Sequence, residues 1–146
     1  MIKFADLLHN RVLIISICGW AAAQLLKTII YAITNKTLEL ERLIGDGGMP
    51  SAHSATVTAM ATTAGLEYGL ASPIFGIAVM VAIIVMHDAM GVRMEAGKHA
   101  KALNEILDLL SRKAAPEEKL KEFVGHTPLQ VCVGSVIGFL IAFLFW

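Results

Sequence analysis

A few polar residues stand at the ends of apolar segments, where burying a polar side chain is costly. The stretch GGMPSAHS places Ser51 and His53 at the mouth of an alanine-rich run. His126 opens a second apolar run, Lys27 lies inside a third and Arg93 follows a fourth. Cations and amide donors stabilise the oxygens of a transferring phosphoryl group, and histidines can act as nucleophile and general acid. These residue types suit phosphate chemistry if the fold brings them together.

The elements that must position these residues are membrane helices. The chain of 146 residues is 56% hydrophobic and only 16% charged, with a mean hydropathy of +0.67, so it is more apolar than most soluble domains. Its apolar blocks approach the roughly 20 residues that a helix needs to cross hydrocarbon. The pattern predicts a single all-α domain (1–146), an integral membrane helical bundle of about four transmembrane helices. The predicted spans are roughly 12–34, 52–70, 72–92 and 128–146.

Charge predicts the orientation of this bundle. Four spans put loops 35–51 and 93–127 on the same side, which carries nine basic residues against two on the other side. Because basic loops stay cytoplasmic, we expect both long loops to face the cytoplasm. The nine basic residues are Lys36, Arg42, Arg93, Lys98, Lys101, Arg112, Lys113, Lys119 and Lys121.

The second long loop has a helical pattern of its own. Over 96–110, apolar residues recur every three or four positions, with charges on the opposite face. This spacing predicts an amphipathic cytoplasmic helix on the membrane surface or against the bundle. The stretch APEEKLKEF (115–123) is expected to start a short second helix, with Pro116 near its first turn. The region 95–123 is therefore expected to be a helical insertion.

The predicted topology gathers the polar residues at one membrane face. The first span brings Lys27 into the half nearer that face, and the second begins there. The third span ends there, and the fourth begins there. The residues expected at this face are Lys27, Ser51, His53, His87, Asp88, Arg93, His126 and Gln130.

Each of these residues, taken singly, also has a structural interpretation. Lys27 could extend to the membrane interface, and Ser51 could be only a helix cap. Asp88 and Arg93 could form an ion pair across about one helical turn. Either catalytic histidine could be a hydrogen-bonded interface residue, so the functional hypothesis depends on convergence.

Two glycines in the last span form a helix-packing motif. Gly134 and Gly138 are four positions apart, a spacing at which helix backbones approach closely. We favour packing as their role, and the motif is also weak evidence for a homodimer.

Several stretches together resemble a known superfamily. MPSAHS (49–54) resembles the P-S-G-H signature of the type 2 phosphatidic acid phosphatase and vanadium haloperoxidase superfamily, and GHTPLQVCVG (125–134) resembles the end of its third motif. With DAMGVR (88–93) and GKHAKALN (97–104), they look like its divergent branch of small bacterial and plant membrane proteins. The resemblance implies a metal-independent phosphatase without a cofactor, in a bacterial cell membrane. The implied substrate is a lipid phosphate or diphosphate.

The resemblance also implies roles for individual residues. His126 would attack phosphorus and form a phosphohistidine, and His53 would protonate the leaving oxygen. Water would then cleave the intermediate. The residues expected to hold the phosphate are Lys27, Ser51 and Arg93, with Arg42 as a partner of Lys27.

One position motivates an alternative function. Gln130 stands where the superfamily has an acid that orients the nucleophilic histidine, and we hypothesise that Asp88 substitutes for it. A non-enzymatic phospholipid-binding or lipid-handling protein that retains the phosphate site is the alternative, and a purely structural role is the third hypothesis. The expected partners are a lipid phosphate and membrane lipids, not nucleic acid.

Overall fold

The computed structural model describes residues 4–38, 43, 45, 47–110, 119–122 and 124–146. A short 3-10 helix precedes five α-helices, and no strand occurs in these residues, so the predicted all-α class is confirmed. The helices that match the predicted spans begin and end within two residues of the expected positions. The elements are the 3-10 helix Phe4–His9, α1 (Arg11–Asn35), α2 (Ala52–Tyr68), α3 (Pro73–Met90), α4 (Val92–Leu110) and α5 (Pro128–Phe145).

Polar residues start four of the helices. In each case a side-chain oxygen accepts a hydrogen bond from the backbone N–H three positions further on, which satisfies one of the donors that a helix start leaves without a partner. At α5 the bond is reciprocal, since the side chain of Gln130 returns to the backbone of the capping Thr127. The four capping residues are Asn10, Ser51, Ser72 and Thr127.

The bundle has small residues inside and large apolar residues outside. α2 lies at the centre and contacts α1, α3 and α5, whereas α4 packs against α3. The buried apolar residues are mostly alanines, and many leucines, isoleucines and phenylalanines are exposed. This distribution is typical of helices that pack closely in lipid, and the exposed apolar surface suits hydrocarbon rather than water.

Three helical stretches of the described chain are long and apolar enough to cross a membrane. They are Arg11–Asn35, Pro73–Leu109 (which spans α3 and most of α4) and Pro128–Phe145. α2 has 17 residues, a length of about 25 Å, and it is enclosed by the other helices. That α2 also crosses the membrane stays a prediction.

The two motif glycines bring α5 against α2. A Cβ at Gly134 would overlap the carbonyl oxygen of Ser51, and one at Gly138 would overlap that of Ala55. The helix-packing interpretation of this motif is confirmed. Because α2 of the same chain occupies this face, a homodimer would have to use another surface.

The far end of the bundle confirms the antiparallel order of the helices. Glu67, near the end of α2, accepts a hydrogen bond from Nε1 of Trp146 at 2.9 Å. It also lies 3.7 Å from the guanidinium of Arg11 at the start of α1. The end of α1 and the starts of α2 and α5 therefore lie together at the opposite end.

The predicted second helix of the insertion is wrong where the structure describes it. Residues 119–122 are not helical, and residues 111–118 and 123 lie outside the described chain. Asn104 of α4, only 4% exposed, donates to the carbonyl of Leu120 at 3.0 Å and accepts from its N–H at 3.0 Å. Its Nδ2 also donates to Glu122 at 2.9 Å. These bonds use backbone groups that a helix would need, so the segment runs along α4.

We expect Gly138→Ala to destabilise the protein by about 1–3 kcal/mol, because the new methyl group overlaps backbone atoms of α2 that cannot move independently. Unfolding in detergent micelles, followed by circular dichroism, measures this. Gly76→Ala in α3 is the matched control, since a Cβ there meets nothing within 4 Å and alanine favours a helix by about 0.5–1 kcal/mol. Equal stability of both variants would contradict the close approach of α5 to α2.

Candidate phosphate site

Lys27 is held inside the bundle rather than extended to the surface. It is only 6% exposed, and its Nζ donates to the carbonyl of Gly45 at 3.3 Å. The connection to α2 passes over the side chain through Gly47 and Gly48, with φ of 79° and 80°. Glycine adopts these left-handed angles without steric cost. The loop between α1 and α2 therefore covers the ammonium group.

Ser51 joins the starts of α2 and α5. Its Oγ accepts hydrogen bonds from the N–H of Ser54 at 3.3 Å and from its hydroxyl at 3.0 Å. Its own N–H donates to the carbonyl of Gln130 at 3.1 Å. Ser51 is fully buried, so the cap interpretation is confirmed. Its predicted contact with phosphate stays a prediction.

His126 is fixed by its backbone and by its ring. The residue is 2% exposed, and its N–H donates to the carbonyl of Ala89 at the end of α3, at 3.0 Å. The ring nitrogen Nδ1 lies 3.3 Å from Oε1 of Gln130. Because the N–H of Thr127 donates to the same oxygen at 2.9 Å, this oxygen is an acceptor, and Nδ1 must carry the proton. In the neutral ring, Nε2 then has the lone pair.

The two predicted catalytic histidines are brought together. The ring centroids of His53 and His126 are 5.9 Å apart, with planes inclined at 59°. Since these residues are 73 positions apart in sequence, only the packing of α2 against α5 produces this contact.

Positive charge from three elements acts on His126. Its pKa lies below the ordinary value of 6.5, mainly because burial disfavours the charged ring. The nearby charges of His53, Lys27 and Arg93 lower it further, whereas the hydrogen bond to Gln130 opposes the shift. Lys27 and Arg93 are thus close enough to share an electrostatic environment with His126, which favours the neutral ring that a nucleophile needs.

Asp88 is placed differently from our hypothesis. Its carboxylate accepts a hydrogen bond from Nε of Arg93 at 3.0 Å, and both side chains are partly exposed. The ring of His126 is contacted by Gln130 instead. The ion pair bridges the turn between α3 and α4 and can orient the guanidinium of Arg93. Among the described residues, Asp88 makes no hydrogen bond to His126. Arg42 lies outside them.

Two clefts adjoin the histidine pair from different sides. One, of about 340 Å³, is lined by Lys27, His53 and Gln24. The other, of about 490 Å³, is lined by His126, by two lysines of α4, Lys98 and Lys101, and by the acidic Glu122. Because the histidines line different clefts, a ligand that touches both requires a local rearrangement.

Sequence reasoning missed Gln24. This residue is 5% exposed and lines the same cleft as Lys27. It appeared in the sequence only as an interruption of an apolar block. The available signal was its spacing, since residues three apart share a helix face.

Comparison with known proteins assigns the family. The profile of the Divergent PAP2 family matches residues 8–141. The chain belongs to this family. A Bacillus subtilis (strain 168) protein named "Uncharacterized membrane protein YuiD" is 38% identical over 148 residues, which cover 93% of this chain and 94% of the relative. No solved structure matches the chain with significance.

The matched region contains every described residue of the histidine site. Membership of the Divergent PAP2 family and the relative's printed name agree with the membrane architecture of the bundle. Neither finding assigns a reaction to this chain.

We expect the ring of His126 to titrate below pH 6.5, because burial and nearby cations disfavour the imidazolium. Gln130→Glu should raise this pKa, since a carboxylate beside Nδ1 stabilises the charged ring. Gln130→Leu should lower it by removing the acceptor. Histidine-labelled protein, titrated by NMR in detergent, measures each value, and His126→Gln assigns the signal.

Leu129→Ala is the control for this titration, because Leu129 is exposed on the first turn of α5 and should leave the signal unchanged. A pKa that does not respond to either substitution of Gln130 would contradict the contact between its side chain and the ring.

Proposed function

We propose that the protein hydrolyses a lipid phosphate or diphosphate without a metal ion, through a phosphohistidine intermediate at the cytoplasmic face. The observation that carries the proposal is the 5.9 Å approach of the rings of His53 and His126. The cations of Lys27 and Arg93 act on the same ring. Two histidines with cations around them suit phosphoryl transfer, whose transition state needs charge stabilisation and a proton donor.

In the first step, Nε2 of His126 attacks phosphorus. A nitrogen–phosphorus bond forms as the bond from phosphorus to the leaving oxygen breaks, and protonated His53 transfers its proton to that oxygen. Nδ1–H of His126 stays directed at Gln130, so the ring keeps its orientation while it gains positive charge. Lys27 and Arg93 balance the charge on the remaining phosphate oxygens.

In the second step, water replaces the histidine. His53, now neutral, takes a proton from the attacking water, whose oxygen bonds to phosphorus as the nitrogen–phosphorus bond breaks. Inorganic phosphate is released, and both histidines return to their starting states. From a diphosphate, the lipid monophosphate has already left in the first step. His126 first bonds to phosphorus and is then displaced by water, and His53 first gives a proton and then takes one. No reactant other than water is therefore needed.

The proposal requires a small movement when substrate binds. Nucleophile, phosphorus, leaving oxygen and proton donor in line span about 7 Å between the two nitrogens. Rings with centroids 5.9 Å apart must therefore turn or separate. Hydrogen bonds in a catalytic site often reach their working geometry only in the complex.

The setting favours a lipid as the phosphate source. The exposed surface of the bundle is rich in large apolar residues, whereas the histidine pair lies at the helix ends, where a headgroup would meet water. The basic loops on this side favour the cytoplasm as its location.

One observation favours a second candidate, a phospholipid-binding protein without turnover. The partner of His126 is the amide of Gln130, which orients the ring but supplies no negative charge to stabilise the imidazolium. Binding of phosphate or a lipid headgroup, lost in Lys27→Ala or Arg93→Ala and without hydrolysis of any substrate, would support this candidate. Turnover that appears only in Gln130→Glu would support it further.

We expect the purified protein to release phosphate from at least one of phosphatidate, phosphatidylglycerophosphate and a polyprenyl diphosphate, in the presence of a chelator. Vanadate should inhibit, since it resembles pentacoordinate phosphorus. His126→Ala should reduce release to background, because the nucleophile is gone. His53→Ala should reduce it by about 10²–10⁴-fold. A colorimetric phosphate assay in detergent measures all of these.

His99→Ala is the matched control, because His99 is exposed on α4 and outside the proposed mechanism. It should keep the wild-type rate. Full turnover of His126→Ala on every substrate that the wild type hydrolyses would overturn the mechanism.

A further inference from the structure

One face of α1 presents an aromatic ring, an amide and a cation to a single cleft. Trp20, Gln24 and Lys27 are spaced by four and three residues, and all line the cleft that contains His53. Gln24 is about 4.5 Å along the helix axis from Lys27, towards the far end of the bundle. The cleft therefore offers a cation, then an amide, then an aromatic ring.

The amide of Gln24 has an unmet hydrogen bond. Its Oε1 is buried and has no hydrogen-bond partner, and it is the one such side-chain atom found among the described residues. The side chain is 5% exposed. A buried acceptor without a donor destabilises the folded state, so an apolar residue of the same size would fold more favourably here.

The fold makes no visible use of this amide. The hydrogen bond that the helix receives at this position goes from Oγ1 of Thr28 to the backbone carbonyl of Gln24, at 2.9 Å. It does not involve the side chain. A buried polar group inside a membrane bundle is a candidate for function, and Gln24 lines a cleft that adjoins the proposed phosphate site.

The cleft continues into a larger apolar one. Trp20 and Thr56 line both this cleft and a neighbouring one of about 540 Å³, which extends along α1 and α2 past Leu13 and Met60 to Tyr68. The order from one end to the other is cation, amide, hydrocarbon. A lipid phosphate has its phosphate, the carbons that carry its linker oxygens and its chain in the same order.

We propose that Gln24 accepts a hydrogen bond from a free hydroxyl of the lipid, on the carbon next to the phosphate ester carbon. The substrate class is then a lipid phosphate monoester with a hydroxyl close to phosphorus. This inference rests on the proposed function, because it takes the site of Lys27 and His53 to bind the phosphate. Lipids that lack such a donor leave Oε1 of Gln24 without a partner in the complex as well.

Two substrates that differ by one oxygen test the proposal. A 1-acylglycerol 3-phosphate has the free hydroxyl, and the corresponding 1-acylpropanediol 3-phosphate, with the same chain, lacks it. For the wild type we expect kcat/KM to be about tenfold higher with the hydroxyl, the discrimination typical of one neutral hydrogen bond. In Gln24→Met, which keeps the size of the side chain, the ratio should fall to about one.

Two controls separate recognition from structure. Thr28→Val, one turn further along α1 and also buried, should keep the tenfold ratio. Gln24→Met without ligand should unfold at the same or a higher temperature than the wild type, because an unpartnered amide is removed. A lower unfolding temperature with an unchanged ratio would assign Gln24 a structural role, and a ratio of one in the wild type would show that the protein does not recognise the hydroxyl. Either result overturns the proposal.

A binding experiment keeps the test independent of turnover. The chain has two tryptophans, so Trp146→Phe leaves Trp20, in the cleft, as the fluorescent probe. Titration with the same two lipids should give about tenfold tighter binding of the hydroxyl lipid, and equal binding when Gln24→Met is added. Tenfold selectivity without hydrolysis would support the proposal for Gln24 while the phosphatase function fails. Equal affinities, or binding of neither lipid, would overturn it.

Discussion

The close approach of α5 to α2 is the contact on which the candidate site depends. Gly134 and Gly138 lie against the carbonyls of Ser51 and Ala55, so the two helix backbones meet without intervening side chains. His53 belongs to the first turn of α2, and His126 immediately precedes Thr127, the capping residue of α5. If these helices were farther apart, the two histidine rings would be farther apart as well. The contact between the rings therefore depends on Gly134 and Gly138, which have no side chains to keep the helices apart.

The interior of this bundle contains buried polar groups that lower the stability of the folded protein. Lys27, His126 and Gln24 are all at least nine-tenths buried, and a cation, a histidine under positive potential and an unpartnered amide all raise the energy of the folded state. An anion among the first two and a donor at the third would relieve these costs. A ligand that carries both an anion and a hydrogen-bond donor would thus gain binding energy from relieving these costs. The buried polar groups therefore point to ligand binding rather than to packing.

Gln130 shows how the Divergent PAP2 family membership and the geometry complement each other. The amide occupies the place of an acid in the resembling motif, and it holds the ring of His126 through one oxygen that also accepts from the backbone of Thr127. The ring of His126 thereby keeps its orientation and its tautomer without a charged partner. The carboxylate of Asp88 pairs with Arg93 rather than with His126, and the positive charges of Lys27 and Arg93 still act on the ring of His126.

The insertion shows the limit of predicting structure from local sequence patterns. The amphipathic pattern predicted α4 because its period reflects the helix itself, and the structure confirms a helix over Val92–Leu110. The stretch 115–123 predicted another helix, but the side chain of Asn104 competes for the backbone of Leu120 from 16 positions away. A partner at that separation cannot be read from local spacing.

The sequence by itself determined the helices, the cap of α2 at Ser51 and the end of the bundle at which the polar residues collect. Hydrophobic length, capping residues and alternating topology are local or one-dimensional properties, so they needed no coordinates. Only the tertiary structure decided which polar residues touch: Asp88 with Arg93 rather than His126, the motif glycines with α2 of the same chain, and Gln24 with no partner. These outcomes depend on how helices are rotated and how closely they pack. A difference of one methyl group or one rotamer changes these contacts, and the hydrophobic pattern of the sequence does not encode such differences.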